Sequence, residues 1–379
     1  PVLIVPLSQH LGAPAKSVVR EGQEVVRGQT IAEPDGFMSV AMHAPASGIV
    51  RRIMLAPGIM GTKVESIFIE PYPASTQEID DGQPCSLDAT PDEIITAIQN
   101  AGIVGLGGAA FPTHVKLKPP EGKQLDTLFI NGVECEPYLT TDYRVMLEQT
   151  EDVFTGIRYL LRATGTSKAI IAIEANKLDA AERFRTLCPD DLPVTVRVSP
   201  VKYPQGAEKM IFSALIDREV PSGGLPADIG VICCNVATTA EIGRLLPRGR
   251  GIQERVITIG GPGVRKKGNY RIPIGTPVRF ALEQCDPVDD ISRVFMGGPM
   301  MGPTVSNLDI PITKGTSGIT AFTTAETGGS TGHNKVYPCI GCARCVEACP
   351  VFLNPSQLGI LARNEEYEQM ADSWHLMDC

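Results

Sequence analysis

Gly102-Ile-Val-Gly-Leu-Gly-Gly-Ala-Ala-Phe-Pro-Thr-His-Val-Lys116, followed by the run Leu128-Phe-Ile-Asn-Gly-Val-Glu-Cys-Glu-Pro-Tyr138, decides how this chain is read. Gly105, Gly107 and Gly108 carry no Cβ, so the backbone there can approach a ligand closely and aim N–H groups at phosphate, with Lys116 as a fixed cation. The loop does not fit the dinucleotide fingerprint G-x-G-x-x-G, because no acidic residue closes a second strand about 20 residues later. Instead, the apolar run over 126–134 reads as a buried strand with Asn131, Glu134 and Glu136 at its carboxyl end. In an open α/β sheet that edge is where ligands collect.

Working outward, Thr90-Pro91-Asp92-Glu93 supplies an N-cap, a proline at the first helical position and acids in the first turn, so a helix is expected over 91–102. Helical periodicity returns at 141–163 and 177–187, with strands expected at 168–174 and 193–200. This alternation argues for a Rossmann-like parallel sheet flanked by helices over 90–250.

Upstream, residues 2–70 alternate apolar and polar with turns at Gly12, Gly22, Gly28, Gly36 and Gly48, a small all-β unit expected to span 1–75. The phrases over 19–32 and 43–50 resemble the two halves of a lipoyl or biotinyl carrier barrel-sandwich. Carriers present a modified lysine at the intervening tip. Glu33-Pro34-Asp35-Gly36-Phe37-Met38 holds none, which favours a structural or docking module. His43 is read as a strand histidine without a role. Downstream, residues 251–312 read as a hairpin and short helix that resemble a soluble ligand-binding β-grasp unit, with Lys266-Lys267-Gly268-Asn269 as its solvated tip. A Gly/Thr/Ser-rich linker is expected over 313–334.

The region 335–379 carries Cys339, Cys342, Cys345 and Cys349 in a C-x2-C-x2-C-x3-C-P run. That spacing wraps three thiolates around one [4Fe–4S] cube, while the fourth cysteine ligates a neighbouring cluster. A zinc ribbon needs two well-separated CxxC pairs, which this run lacks. One run predicts a second, so Cys349 and Cys379 are assigned to the other cluster, with two clusters in a polypeptide expected to continue. Cys85, Cys135, Cys188, Cys233, Cys234 and Cys285 read as small apolar side chains.

The 379 residues suggest two to four domains, and their net charge of −9 argues against nucleic acid and direct binding to anionic lipid. No stretch approaches the roughly 20 uninterrupted apolar residues of a membrane span, so membrane association is expected through partners. Eleven mostly unpaired-looking cysteines suggest a reducing compartment.

The glycine loop together with Asn131-Gly-Val-Glu134-Cys-Glu136-Pro-Tyr138 resembles the FMN and NADH site of the respiratory complex I flavoprotein. With the barrel in front and ferredoxin-type cysteines behind, the chain is similar along nearly its whole length to the C subunits of Rnf electron-transport complexes. The resemblance implies that Gly105, Gly107, Gly108 and Lys116 cradle FMN phosphate, with Asn131 and Glu134 near its ribityl chain and ring. It places Tyr203, Gly206, Asn235 and Thr238 around the flavin, with Phe111, Glu136 and Glu208 on the NADH side. Val133, Leu117 and Cys234 stand where complex I flavoproteins carry an acid, a tryptophan and an asparagine, which thins the dinucleotide contacts.

The resemblance also implies a peripheral NADH-oxidising subunit on the cytoplasmic side of a membrane translocase that moves Na+ or H+. Its partners would be the other Rnf subunits, especially the ferredoxin-like B subunit, and ferredoxin. Because the cofactors carry the chemistry, no catalytic side chain is assigned. Three other readings stand beside it: a cobalamin reductase of the propanediol-utilisation type, disfavoured by the leading barrel; a non-catalytic iron–sulfur relay scaffold; and a carrier or ligand-binding module, disfavoured by the missing lysine.

Overall fold

A computed structural model describes residues 1–59, 61–118, 122–327 and 337–379. The first 71 residues form two small sheets: β1 (Leu3–Pro6), β3 (Glu24–Val25), β6 (Gly48–Pro57) and β7 (Lys63–Pro71) in one, and β2 (Lys16–Ser17), β4 (Thr30–Glu33) and β5 (Met42–His43) in the other. Val5, Val25, Ile31, Met42, Val50, Ile67 and Ile69 fill the space between them, each at most 2% exposed. The lysine-free tip does not stand free. Gln99 Nε2 donates to Gly36 O (3.1 Å) and Ser39 O (2.9 Å), and His114 Nε2 donates to Phe37 O at 2.6 Å. The tip is bonded to the neighbouring unit.

The second unit contains α1 (Pro91–Asn100), α2 (Thr113–Lys116), β8 (Thr127–Gly132), α3 (Thr141–Glu148), α4 (Thr150–Thr164), β9 (Lys168–Glu174), α5 (Leu178–Leu187), β10 (Val194–Ser199), α6 (Glu208–Ile216), β11 (Val231–Asn235) and α7 (Val236–Leu245). Its sheet is parallel in the order β10-β9-β8-β11. The expected capping box is present: Glu93 N–H donates to Thr90 Oγ1 (3.3 Å) while Glu93 Oε2 accepts from Thr90 N–H (2.7 Å). The helical pattern over 141–163 divides at Gln149 into two helices, and Gly165, at φ +69°, ends the second in the left-handed conformation that suits glycine. Helices α4 and α7 cross with almost no space between them. A Cβ on Gly156 would lie 1.9 Å from Thr239 O, and one on Gly243 would lie 1.9 Å from Asp152 O.

The third unit holds β12 (Glu254–Gly260), β13 (Gly268–Pro273), α8 (Val278–Gln284), β14 (Ile291–Met296), β15 (Thr304–Val305) and β16 (Gly318–Thr323), in the sheet order β13-β12-β16-β14-β15. This corrects the expected linker at 313–334. Residues 318–323 form the central strand, parallel to β12 and antiparallel to β14, with Ile319 and Ala321 fully buried. Small and β-branched residues suit that crowded position once partners on both sides supply the hydrogen bonds. The linker residues 328–334 lie outside the described residues. Lys266 and Lys267 are exposed at the turn, as expected.

Last come α9 (Arg344–Ala348), α10 (Pro355–Arg363) and α11 (Tyr367–Asp372), around a small core of Leu353, Leu358, Leu361 and Met370. Ser222 Oγ donates to Asp378 Oδ1 at 2.5 Å, joining this region to the second unit. Among the described residues no helix is long and apolar enough to cross a membrane.

Candidate functional site

The glycine-rich loop runs from the end of α1 to α2, and the carboxyl ends of β8 and β11 lie beside it. Gly105 N–H donates to Phe111 O (2.8 Å) and Ala110 N–H to Gly105 O (3.1 Å), so the loop closes on itself. Leu106 N–H donates to Thr238 Oγ1 at 2.9 Å. The tip, Gly107, Gly108 and Ala109, is exposed, and its three N–H groups have no hydrogen-bond partner among the described residues. Gly108 has φ +116°, and a Cβ there would meet nothing within 4 Å. Consecutive outward N–H groups with open space in front form an anion-binding concavity.

Asn235 stands beside this tip, its Nδ2 3.2 Å from where a Gly107 Cβ would sit. Its Oδ1 accepts from Ala237 N–H (2.9 Å) and Thr238 N–H (3.3 Å), capping α7, and its Nδ2 donates to Asp142 Oδ2 (2.7 Å). Thr238 is buried beneath the loop and supports it from behind. Its hydroxyl accepts the Leu106 N–H and keeps its own proton to donate. Asn131, at the end of β8, donates to Gly206 O (2.9 Å) and accepts from Val133 N–H (3.0 Å). Gly206 cannot carry a side chain, because a Cβ would lie 2.5 Å from Val133 O and 2.9 Å from Cys135 Sγ. Cys135 Sγ accepts the Gly206 N–H at 3.2 Å, and Cys85, Cys135 and Cys188 are only half-buried, so of the six scattered cysteines Cys233, Cys234 and Cys285 alone are fully buried.

Lys116 Nζ pairs with Glu208 Oε1 at 2.6 Å. Burial opposes the ammonium charge, but the neighbouring Cys233, Glu208 and Cys234 favour it, and its pKa ends above the ordinary lysine value. Glu134 accepts from the N–H groups of Asp142 (2.9 Å) and Tyr143 (3.3 Å), so it caps α3. Burial, then repulsion from Asp142, pushes Glu134 up to about 8, and burial raises Asp142 as well. Lys177 lies close by, bonded to Glu174 Oε2 (2.7 Å) and Glu134 O (3.2 Å).

Glu136 reaches into the third unit, where its Oε1 accepts from Met300 N–H (2.7 Å) and Met301 N–H (3.1 Å). Tyr203 is 36% exposed and Phe111 half-buried at the mouth of the same region. Gly105, Gly107, Gly108, Lys116, Asn131, Glu134, Gly206, Asn235 and Glu208 are thus gathered around one sheet edge.

The sequence alone does not mark Asp142, Arg255 or Lys314. Asp142 follows the expected start of a helix and passes for a solvated first-turn acid.

The cysteines of the 339–349 run and Cys379 do not form a ligand cluster among the described residues. Cys339, Cys342, Cys345 and Cys379 are exposed and Cys349 half-buried, and among the described residues no group of three His, Cys, Asp or Glu could hold a metal ion. Two thiols accept backbone donors, Cys339 Sγ from Gly341 N–H (3.4 Å) and Cys349 Sγ from Leu353 N–H (3.3 Å).

Residues 98–244 match the family described as the Nuo51 FMN-binding domain, and residues 1–73 match the RnfC barrel sandwich hybrid domain. The C subunit of the proton-translocating ferredoxin:NAD(+) oxidoreductase complex of Clostridium ljungdahlii is 42% identical over 99% of this chain and 82% of its own length. The Na(+)-translocating counterpart of Acetobacterium woodii is 39% identical over 100% of this chain and 84% of its own. The C subunit of the ion-translocating oxidoreductase complex of Rhodobacter capsulatus is 40% identical over 94% and 69%. Among solved structures, an NAD+-reducing [NiFe]-hydrogenase in its air-oxidised state shares the fold at a TM-score of 0.54 and 21% identity, over 76% of this chain and 55% of that one. With a barrel-sandwich unit, a flavoprotein-type α/β unit and relatives that match almost the whole of this chain, the chain belongs to the RnfC family, the C subunits of ion-translocating oxidoreductase complexes.

Proposed function

We propose that this chain is the NADH-oxidising flavoprotein and iron–sulfur subunit of a membrane-bound ferredoxin:NAD+ oxidoreductase that moves Na+ or H+, lying on the cytoplasmic face. The observation that carries this reading is the set of three unpartnered N–H groups at Gly107, Gly108 and Ala109, inside the segment that matches the FMN-binding domain. They fit a terminal phosphate, and the open space before Gly108 admits it. FMN, when bound, supplies the exchange between a two-electron hydride donor and one-electron acceptors.

The chain's own groups place and shield. Lys116 stays charged beside Glu208 and offers a cation to the phosphate. Asn131 and Asn235 present amides at the carboxyl ends of adjacent parallel strands. Glu134 holds a proton over much of the neutral range, which lessens the repulsion an acid cluster exerts on a dinucleotide's phosphates. Phe111, Glu136 and Glu208 line the side assigned to NADH. Tyr203 and Gly206 are assigned to the flavin itself. Cys339, Cys342 and Cys345 are assigned to one [4Fe–4S] cluster and Cys349 with Cys379 to another on spacing alone. The partners in this reading are the other members of the complex, the ferredoxin-like B subunit above all, and ferredoxin.

Anaerobic stopped-flow absorbance of the iron-reconstituted, FMN-loaded protein mixed with NADH tests this. Loss of the flavin band followed by cluster bleaching is the expected result. FMN that stays oxidised with NADH, yet is reduced by a chemical reductant, rejects the dehydrogenase role.

A further inference from the structure

The loop tip offers its N–H groups in a direction set by its peptide planes, and the first of these planes is held by a group from the third unit. A peptide unit is planar and trans, so its C=O and N–H point in opposite directions. A carbonyl held inward therefore sends the following residue's N–H outward. Leu106 O accepts from Arg255 Nη2 at 3.0 Å, and it belongs to the same peptide unit as the Gly107 N–H. Arg255 is 2% exposed, and Nη2 is fixed from a second direction by Thr316 O at 3.2 Å. At the loop's first shoulder, Gly102 O accepts from Lys314 Nζ at 2.8 Å, and the same ammonium donates to Ala41 O of the barrel at 2.7 Å. Between these two cations Gly315 lies flat against the loop: a Cβ there would sit 3.0 Å from Ala110 Cβ and 3.5 Å from Gly108 O.

We propose that the strap 313–316 with Arg255 is the template for the anion-binding tip, and that Arg255 and Lys314 are positioning residues that set its preference for a phosphorylated flavin. Arg255 acts twice. It orients the Leu106–Gly107 peptide, and its buried charge polarises that peptide so that the Gly107 N–H is a stronger donor. Lys314 and Gly315 hold the loop at the depth where this orientation is reached. The inference rests on the FMN reading of the site and specifies which part of the flavin the template serves, the phosphate.

The test compares the affinities of FMN and riboflavin, which differ only in that phosphate, for the full chain freed of flavin. Wild type should prefer FMN. Arg255→Gln should lose most of that preference, on the order of tenfold, with riboflavin affinity little changed. Arg255→Lys, which restores the charge without the fork, should recover part of it. Gly315→Val keeps every charge and pushes the loop from the other side, so it should erode the same ratio even if the arginine variants fold poorly. An FMN-to-riboflavin ratio unchanged in both Arg255→Gln and Gly315→Val overturns the template. Wild type that binds both flavins equally overturns it as well, since no phosphate then meets the tip. Wild type that binds neither flavin rejects the FMN reading itself. The template is then judged by amide hydrogen exchange, where faster exchange at 106–110 in Arg255→Gln supports it and unchanged exchange rejects it.

Discussion

Glu134 and Asp142 put two carboxyl groups at the start of one helix, and the electrostatics of the site turn on which of them keeps a proton. Both oxygens of Glu134 accept from the first N–H groups of α3, which favours the anion, yet burial and the Asp142 charge outweigh this and leave Glu134 near 8. A carboxyl whose folded pKa lies above its unfolded value contributes stability that is full below the unfolded value of 4.5 and lost as pH rises through the folded one. Glu134→Gln cannot ionise and keeps one acceptor for the helix N-terminus. We therefore expect the melting temperature of the variant to gain on wild type between pH 5 and pH 8, and thermal melts across that range check it. A constant difference would mean that Glu134 is ionised throughout. Gly107, Gly108 and Asn131 are readable as site residues because their types state their use: no side chain, or an amide at a strand's end. Arg255 is not, since its use depends on a carbonyl 149 positions away in sequence.

Among the elements, α4 and α7 set the strictest limit. Helix propensity alone favours alanine over glycine by about 1 kcal/mol, so Gly156→Ala and Gly243→Ala should stabilise isolated helices. In the crossing each added methyl would overlap a carbonyl oxygen at 1.9 Å, and forcing helices apart in a packed core costs about 1–3 kcal/mol or more. Packing prevails, and both substitutions should lower the midpoint of urea unfolding; a rise would show that the helices separate freely. The parallel sheet and its helices are legible because apolar residues there recur with strand and helix periods over long runs. Strand β16 is not. Gly-Ile-Thr-Ala-Phe-Thr at 318–323 sits inside a run of glycine, serine and threonine that looks like a linker, and only pairing with β12 and β14 makes it a strand. The cysteine run is legible by its spacing, whereas side-chain packing does not set the positions of its thiols, four of the five being exposed.

Across the whole molecule the barrel, the flavoprotein unit and the third unit meet at a polar seam. Lys314 is buried there with its ammonium between Ala41 O and Gly102 O. His10 and His43 lie in the same seam, each with a buried Nδ1 that has no partner among the described residues. Burial and then the Lys314 charge lower His10 to about 4 and His43 to about 3. A histidine held neutral in this way contributes stability that is present above its unfolded value of 6.5 and lost as pH falls toward the folded one. Lys314, lowered by burial to about 7, adds nothing further in that acid range, and its penalty is relieved only as pH rises from 7 toward 10.5. Protection factors of the amides at 36–43 and 98–103 should therefore fall between pH 6 and pH 4.5. His43→Phe keeps a ring beneath Gly251, whose Cβ would lie 2.2 Å from the imidazole, and should blunt the response. An equal fall in protection in wild type and variant would assign the effect elsewhere.

The bonded tip of the barrel has one further consequence. A carrier domain works as a swinging arm, its reach set by the freedom of the tip. With Gly36, Phe37 and Ser39 tied through their carbonyls to Gln99 and His114, and Ala41 tied to the strap behind the glycine loop, this barrel has no stroke. It sits instead as a rigid handle: whatever grips its outer strands fixes the height and tilt of the glycine loop.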